Sequence, residues 1–92
     1  MQPDITNNTT AHRFELTIDG HVAKAWYRLE PGTISFTHTD VPKALEGKGI
    51  GSRLARAGLD HARAEGLKVV PLCPFIAAWI GKHPEYGDLV AQ

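Results

Sequence analysis

Apolar and polar residues alternate strictly from Phe14 to Ile18, with Leu16 set between Glu15 and Thr17. A period of two places every second side chain on one face, so this run reads as a strand with one buried side. Asp19-Gly20 is a tight-turn dipeptide. The run His21 to Glu30, carrying Val22, Ala23, Ala25, Trp26 and Tyr27, then pairs back as an antiparallel strand. Pro31-Gly32 marks a second turn. Thr33 to Thr39 is rich in β-branched and aromatic residues and reads as a third strand, whose alternation sets Ile34, Phe36 and His38 on one face. Three strands joined by two short turns form an antiparallel meander.

Past Pro42 the period changes. From Ile50 to Glu65 a polar stripe of Arg53, Arg56, Asp60 and Arg63 recurs at spacings of three and four. Ile50, Leu54, Ala55, Gly58 and Ala62 fill the opposing side, and so many small residues imply close packing of this helix on a sheet. Gly66 is placed to end it with a left-handed cap. Leu67 to Cys73 (LKVVPLC) reads as a buried strand. A helix separates it from the third strand, so the two are expected to run parallel. Pro74 opens a short helix through Phe75, Ile76, Trp79 and Ile80, and a turn at Pro84-Glu85-Tyr86 follows. The fold class is α/β: a β-meander, one β-α-β crossover and a short C-terminal helix.

Composition narrows the function classes. The chain has 92 residues, which suits one domain; residues 1–11 are polar and read as a flexible N-terminal tail, leaving residues 12–92 as the domain. That tail lacks the apolar core of a secretory signal. Ten basic residues balance ten acidic ones, so charge gives no reason to expect a nucleic-acid or membrane partner. A single cysteine excludes an internal disulfide and suits a reducing, cytoplasmic setting. His12, His21, His61 and His83 show no metal-ligand spacing, and neither HExxH nor CxxC occurs, so no metal is expected. Exposed strand edges suit a monomer or a weak homodimer.

The chemistry concentrates between the third strand and the long helix, at Glu46-Gly47-Lys48-Gly49-Ile50-Gly51-Ser52. Three glycines at alternate positions let the backbone turn sharply and let a ligand approach it closely. The turn opens a helix whose first N–H groups lack internal partners, and the helix dipole favours an anion there. Lys48 adds a cation. The segment is therefore a phosphate cradle. It is not a Walker A loop, which ends Gly-Lys-Ser/Thr, nor a dinucleotide fingerprint, whose spacing is G-x-G-x-x-G.

The turn resembles motif A of the GNAT acetyltransferases, written Gln/Arg-x-x-Gly-x-Gly/Ala. Gly49 and Gly51 match its last two fixed positions, and Glu46 departs at the first. The likeness extends over about residues 12–90: His38-Thr39-Asp40-Val41-Pro42, then GKGIGSRL, the LKVVPLCPF segment and the W-I-x-x-H-P-E-Y ending are similar to small, minimal GNAT-like proteins. The resemblance implies that acetyl-CoA lies along the third strand. Its pyrophosphate would meet the backbone N–H groups of Gly47, Lys48, Gly49, Ile50, Gly51 and Ser52, and main-chain groups at Thr39, Asp40 and Val41 would hold the pantetheine arm. The thioester would point between the third and fourth strands. Arg53, Lys43 and Arg56 are candidates for the 3′-phosphate. The resemblance also implies that larger members add elements that build the acceptor site, most of which this chain is expected to lack.

Two residues are the candidates for chemistry. Cys73 ends the fourth strand just before a helix start, where a helix N-terminus favours the nucleophilic thiolate. It reads either as an acetyl acceptor in a two-step transfer or as a small buried apolar residue. His38, near the end of the third strand, is a candidate base toward an amine acceptor. Tyr86 is a further candidate, as an acid toward the departing CoA thiolate. The expected activity is acetyl transfer from acetyl-CoA to an amine, the rival being a non-catalytic CoA- or acetyl-CoA-binding module.

Overall fold

The alternating run around Leu16 pairs as its pattern requires. In the computed structural model, which describes residues 5–91, β2 (Arg13–Ile18) and β3 (His21–Glu30) form an antiparallel hairpin with Phe14 opposite Ala25 and Leu16 opposite Ala23. β4 (Thr33–Asp40) returns antiparallel to β3, and β5 (Lys68–Pro71) lies parallel to β4 with Ile34 opposite Val69. A short strand β1 (Thr6–Asn8) adds to the free edge of β2, giving one sheet in the order β1-β2-β3-β4-β5. Among the described residues, five strands and two α-helices make the α/β arrangement expected.

The reading of residues 1–11 as a loose tail is corrected at β1; residues 1–4 lie outside the described residues. Thr6–Asn8 shows no apolar period because it is held by backbone pairing and by its amides. The Tyr27 hydroxyl donates to Asn7 Oδ1 at 2.6 Å, and Asn8 Nδ2 donates to Glu15 at 3.1 Å.

One face of the sheet carries the core. Phe14, Leu16, Ala23, Ala25, Tyr27, Ile34 and Phe36 are all buried on it. Helix α1 (Ile50–Ala64) lies across this face and packs on β2 through β5, burying Ile50, Leu54, Ala55, Gly58, Leu59 and Ala62. Gly58 is required by the closeness of that approach: a Cβ there would stand 2.8 Å from Cε1 of the buried Phe36 ring. The helix ends as expected at Gly66, whose φ of 68° completes a Schellman cap: its N–H donates to Arg63 O, and Leu67 N–H to Ala62 O.

The last crossover strand is shorter than its apolar run. Leu67 to Cys73 was the expected extent, but the ladder stops at the Phe36–Pro71 pair. Leu72 N–H turns back onto Val70 O, and Cys73 becomes the N-cap of helix α2 (Pro74–Lys82), with Pro74 at its first position. A 3-10 segment, Pro84–Leu89, follows, and Ala91 N–H donates to Val69 O at 2.8 Å, covering part of the outer edge of β5.

Candidate acetyl-donor site

The glycine turn grows out of a short 3-10 segment, Lys43–Leu45, anchored by the buried Leu45. Glu46 is extended, and Gly47 (φ 80°) and Gly49 (φ 72°) adopt the left-handed conformation that disfavours side chains. Gly49 is the N-cap of α1, its carbonyl accepting from Arg53 N–H. A glycine cap brings no side-chain oxygen, so the capping residue leaves the first N–H groups of the helix without a side-chain cap bond. A Cβ built on Gly47 or Gly49 meets nothing within 4 Å. The backbone donors thus border open space, a cavity of about 260 Å³ between Val41 and Leu45, the turn itself and Phe75. Gly51 lets that aromatic ring come close: its Cβ would stand 2.7 Å from Phe75 Cζ.

Of the residues expected to hold a phosphate-bearing arm, this cavity brings together Val41, Gly47, Gly49, Ile50, Gly51 and Ser52. Lys48 is exposed on the turn and Asp40 is exposed opposite Lys24, neither lining the cavity, whereas Arg53 follows on the first turn of α1. Glu46 does line it, so the acidic departure from motif A sits in the cavity expected to hold the phosphate.

Above the Phe36–Pro71 pair, β4 continues without β5, and the two chains separate. A bulge starts the separation. Trp26 pairs with His38 and Tyr27 with Phe36, so Thr37 is an extra residue on β4 with no partner on β3. Bulges bend the strand that carries them. The extra residue also reverses the faces beyond it, which corrects the placing of His38 with Ile34 and Phe36. His38 lies on the outer face, exposed and stacked on Trp26 at 5.4 Å between ring centroids. Thr39 takes the inner face instead, its Oγ1 3.4 Å from Cys73 Sγ.

Cys73 is buried at 3% exposure, with its N–H donating to Phe36 O across the mouth of the gap. Its thiol therefore faces the space between the separated strands from the inner side, while His38 approaches from the outer side. The two candidates for chemistry are not brought together. Beside His38 the outer face holds a hollow of about 550 Å³, walled by His12, Trp26, Leu29 and Thr37. The sequence carried no signal for it beyond the aromatic residues, because the bulge that shapes it is one residue among ordinary strand formers.

Tyr86 is drawn elsewhere. Its hydroxyl donates to Asp60 Oδ1 at 2.6 Å and accepts from Arg56 at 3.3 Å. The bond to Asp60, with burial second, raises its pKa above the ordinary tyrosine value, so its proton is held on the flank of α1. Arg56 lies over the rings of Trp79 and Tyr86, at 5.3 and 5.8 Å from their centroids. Among the described residues no group of His, Cys, Asp and Glu is arranged to hold a metal ion, and no helix is long and apolar enough to cross a membrane.

A sheet that splits after a β4 bulge, beside a glycine turn opening the crossover helix, defines the GNAT class of fold. Comparison with known proteins agrees: residues 13–89 match the family described as GCN5-related N-acetyl-transferase, and the chain belongs to that family. The solution structure of a Staphylococcus aureus protein described as GCN5-like superposes with a TM-score of 0.77, at 28% identity, over 98% of this chain and 89% of that one. Among curated relatives, Protein NATD1 of Danio rerio is 29% identical over 94% of this chain and 83% of its own length. Protein NATD1 of Xenopus tropicalis is 36% identical over 56% of this chain, and that of Homo sapiens 37% over 55%. In these last two the match spans about half of the relative, 48% and 45% of its length.

Proposed function

We infer that this protein binds acetyl-CoA and transfers its acetyl group to an amine. The observation that carries the reading is the alignment of two features along β4: a glycine-capped helix N-terminus behind the turn, and a stretch of β4 left unpaired on its β5 side between the turn and Cys73. The first suits a pyrophosphate, held by backbone N–H groups from Gly47 to Ser52. The second suits an extended amide-bearing arm, which bonds to the side of β4 that β5 leaves open as another strand would, while β3 holds the opposite side; Thr39, Asp40 and Val41 supply the main chain. This route leaves the thioester between the strands.

In direct transfer the amine nitrogen attacks the thioester carbonyl. The C–N bond forms, the C–S bond breaks, and CoA leaves as its thiolate. The proton lost by the amine goes to a base, and the exposed His38 imidazole on the outer face is the residue assigned to it. The outer-face hollow beside it is the assigned approach for the acceptor. A second reading rests on the 3.4 Å contact of Cys73 with Thr39 at the gap: the cysteine sulfur takes the acetyl group first, expelling CoA, and the amine then releases it.

The test is intact mass after incubation with acetyl-CoA, under native and denaturing conditions, on the wild type and Cys73→Ala, followed by turnover with a panel of amines. Noncovalent binding with amine-dependent CoA release in both proteins supports direct transfer. An acetyl increment that survives denaturation and vanishes in Cys73→Ala supports the covalent route. Binding without turnover on any amine leaves a CoA-binding module, and no binding at all overturns the proposal.

A further inference from the structure

The hollow on the outer face, at about 550 Å³, is roughly twice the size of the cavity at the glycine turn. It exceeds the roughly 300 Å³ at which pockets begin to enclose a whole small ligand. Three parts of the chain wall it. β3 supplies Trp26, Arg28 and Leu29, the β4 bulge supplies Thr37 and His38, and His12 closes the end beyond β2. These walls are held in place. His12 O accepts from Tyr27 N–H at 2.9 Å, and the His12 ring meets the buried Tyr27 ring edge-on at 6.0 Å. Thr37 Oγ1 donates to Trp26 O at 3.4 Å, beside the stack of Trp26 on His38. Leu29, 48% exposed, adds an apolar wall.

The charge lining the hollow has one sign. Arg28 is the charged side chain there, and among the described residues no carboxylate lines it. Arg13 Cζ and Lys24 Nζ lie 5.8 and 5.7 Å from the centroid of Trp26, so that ring already faces two cations. The acids nearby are placed elsewhere. Glu15 accepts from Arg13 and Asn8, and Asp40 lies opposite Lys24. Glu30 Oε1 stands 3.8 Å from Arg28 Nε, beyond hydrogen-bond distance, with both side chains more than half exposed. The terminal nitrogens of the guanidinium keep their donors for another anion. A second ammonium on an acceptor would find no counterion here and would meet Arg28, Arg13 and Lys24, which disfavours polyamines and lysine-rich segments. Arg28 lies two positions from Trp26 on one face of β3, about 7 Å along the strand, and His38 pairs with Trp26. That interval suits an α-amino acid with its amine at His38 and its carboxylate on Arg28, a hydrogen bond at each end.

We propose that the acceptor is a small aromatic α-amino acid. Its ring packs against Trp26 and Leu29, its carboxylate meets the Arg28 guanidinium, and its amine stands at His38. The assignment rests on the acetyl-transfer reading above and names the acceptor class for it. The amine nitrogen bonds to the acetyl carbon, the C–S bond breaks, and the amine proton passes to His38. The products are CoA thiolate and the N-acetyl amino acid.

Values of kcat/KM for phenylalanine and phenylalaninamide test it, on wild type, Arg28→Ala and Arg28→Glu. The acceptors differ only at the carboxylate, and comparing their ratio between proteins cancels their different amine reactivity. Arg28 is exposed, so neither change threatens the fold. The phenylalanine-to-amide ratio is expected to fall about fivefold in Arg28→Ala, the scale of one partly exposed charge contact, and further in Arg28→Glu. A ratio unchanged in Arg28→Glu overturns the assignment. So does a wild type that turns over spermidine or a lysine-rich peptide in preference to phenylalanine. Acetyl transfer stands in both cases, whereas no turnover of any amine overturns transfer and this assignment together. Binding of N-acetylphenylalanine supplies an independent readout. In a ¹H–¹⁵N spectrum it is expected to shift the Trp26 indole resonance and leave that of Trp79, with the shift lost in Arg28→Glu; the reverse pattern contradicts the placement.

Discussion

One chemical change, glycine to alanine, is expected to have three different outcomes in this fold. At Gly49 the φ of 72° is left-handed, and a Cβ has open space around it. The cost there is backbone strain alone, about 1–2 kcal/mol for a non-glycine residue, offset by the roughly 0.4–1 kcal/mol gained from a stiffer unfolded chain. Gly49→Ala should therefore lose about 0.5–1 kcal/mol. At Gly58 the backbone is helical and alanine gains about 1 kcal/mol in propensity. Its methyl, however, would stand 2.8 and 2.9 Å from Cε1 and Cζ of Phe36, a ring only 1% exposed. Overpacking of about 1–3 kcal/mol outweighs the gain. At Gly81, in α2 with nothing within 4 Å, only the propensity gain remains. Thermal unfolding followed by circular dichroism reads all three, since about 1 kcal/mol moves Tm by roughly 4–8 °C in a domain this size. Gly49→Ala and Gly58→Ala should melt below the wild type and Gly81→Ala above it. A Gly58→Ala protein as stable as the wild type would refute the close-packing argument. Gly49→Ala carries a second expectation, because Gly49 lines the cavity of the turn. Acetyl-CoA affinity should fall in it but not in Gly81→Ala; equal affinities would remove the phosphate from this turn.

Two further outcomes follow from the site. Deletion of Thr37 leaves His38 opposite Trp26 and Phe36 opposite Tyr27 in an unbroken ladder, so the sheet should fold with its faces unchanged, while the bend that opens β4 from β5 is lost. Acetyl-CoA affinity, measured beside the circular dichroism spectrum, should drop at least tenfold with the spectrum retained; unchanged affinity would show that the bulge does not make the gap. Tyr86 gives a pH effect. Its folded-state pKa is raised, chiefly by the hydrogen bond to Asp60, so its contribution is complete below the ordinary tyrosine value near 10 and is lost as pH climbs through the folded value. Urea midpoints from pH 8 to 11 should therefore fall more steeply for the wild type than for Tyr86→Phe. The burial-raised Tyr27 contributes equally to both proteins, and parallel slopes would contradict the assignment.

What the sequence disclosed, and what it withheld, divides along a physical line. Strands β2 and β3 and helix α1 were legible because each is specified locally: a period of two, Asp19-Gly20 between strands, a polar stripe at helical spacing, and Gly66 at the cap. The glycine turn was legible for the same reason, since its donors are backbone groups that any residue supplies once the chain bends at Gly47 and Gly49. Strand β1 was not, because Thr6–Asn8 has no apolar face; its side-chain partners are Glu15 on the neighbouring strand and Tyr27, 20 positions from Asn7. The bulge was hidden more deeply. Thr37 is an ordinary strand residue, and only the pairing of β3 with β4 reveals that it is supernumerary. That one residue decides which of His38 and Thr39 meets Cys73. A pattern reading that finds strand β4 correctly can therefore still put a catalytic candidate on the wrong side of the sheet. The packing of α2 on α1 is of the same kind: Ser52 and Trp79 are 27 positions apart in sequence and meet through a 2.8 Å hydrogen bond. Local chemistry thus announces a glycine turn that opens a helix, whereas the face on which each candidate side chain falls is decided by contacts between elements.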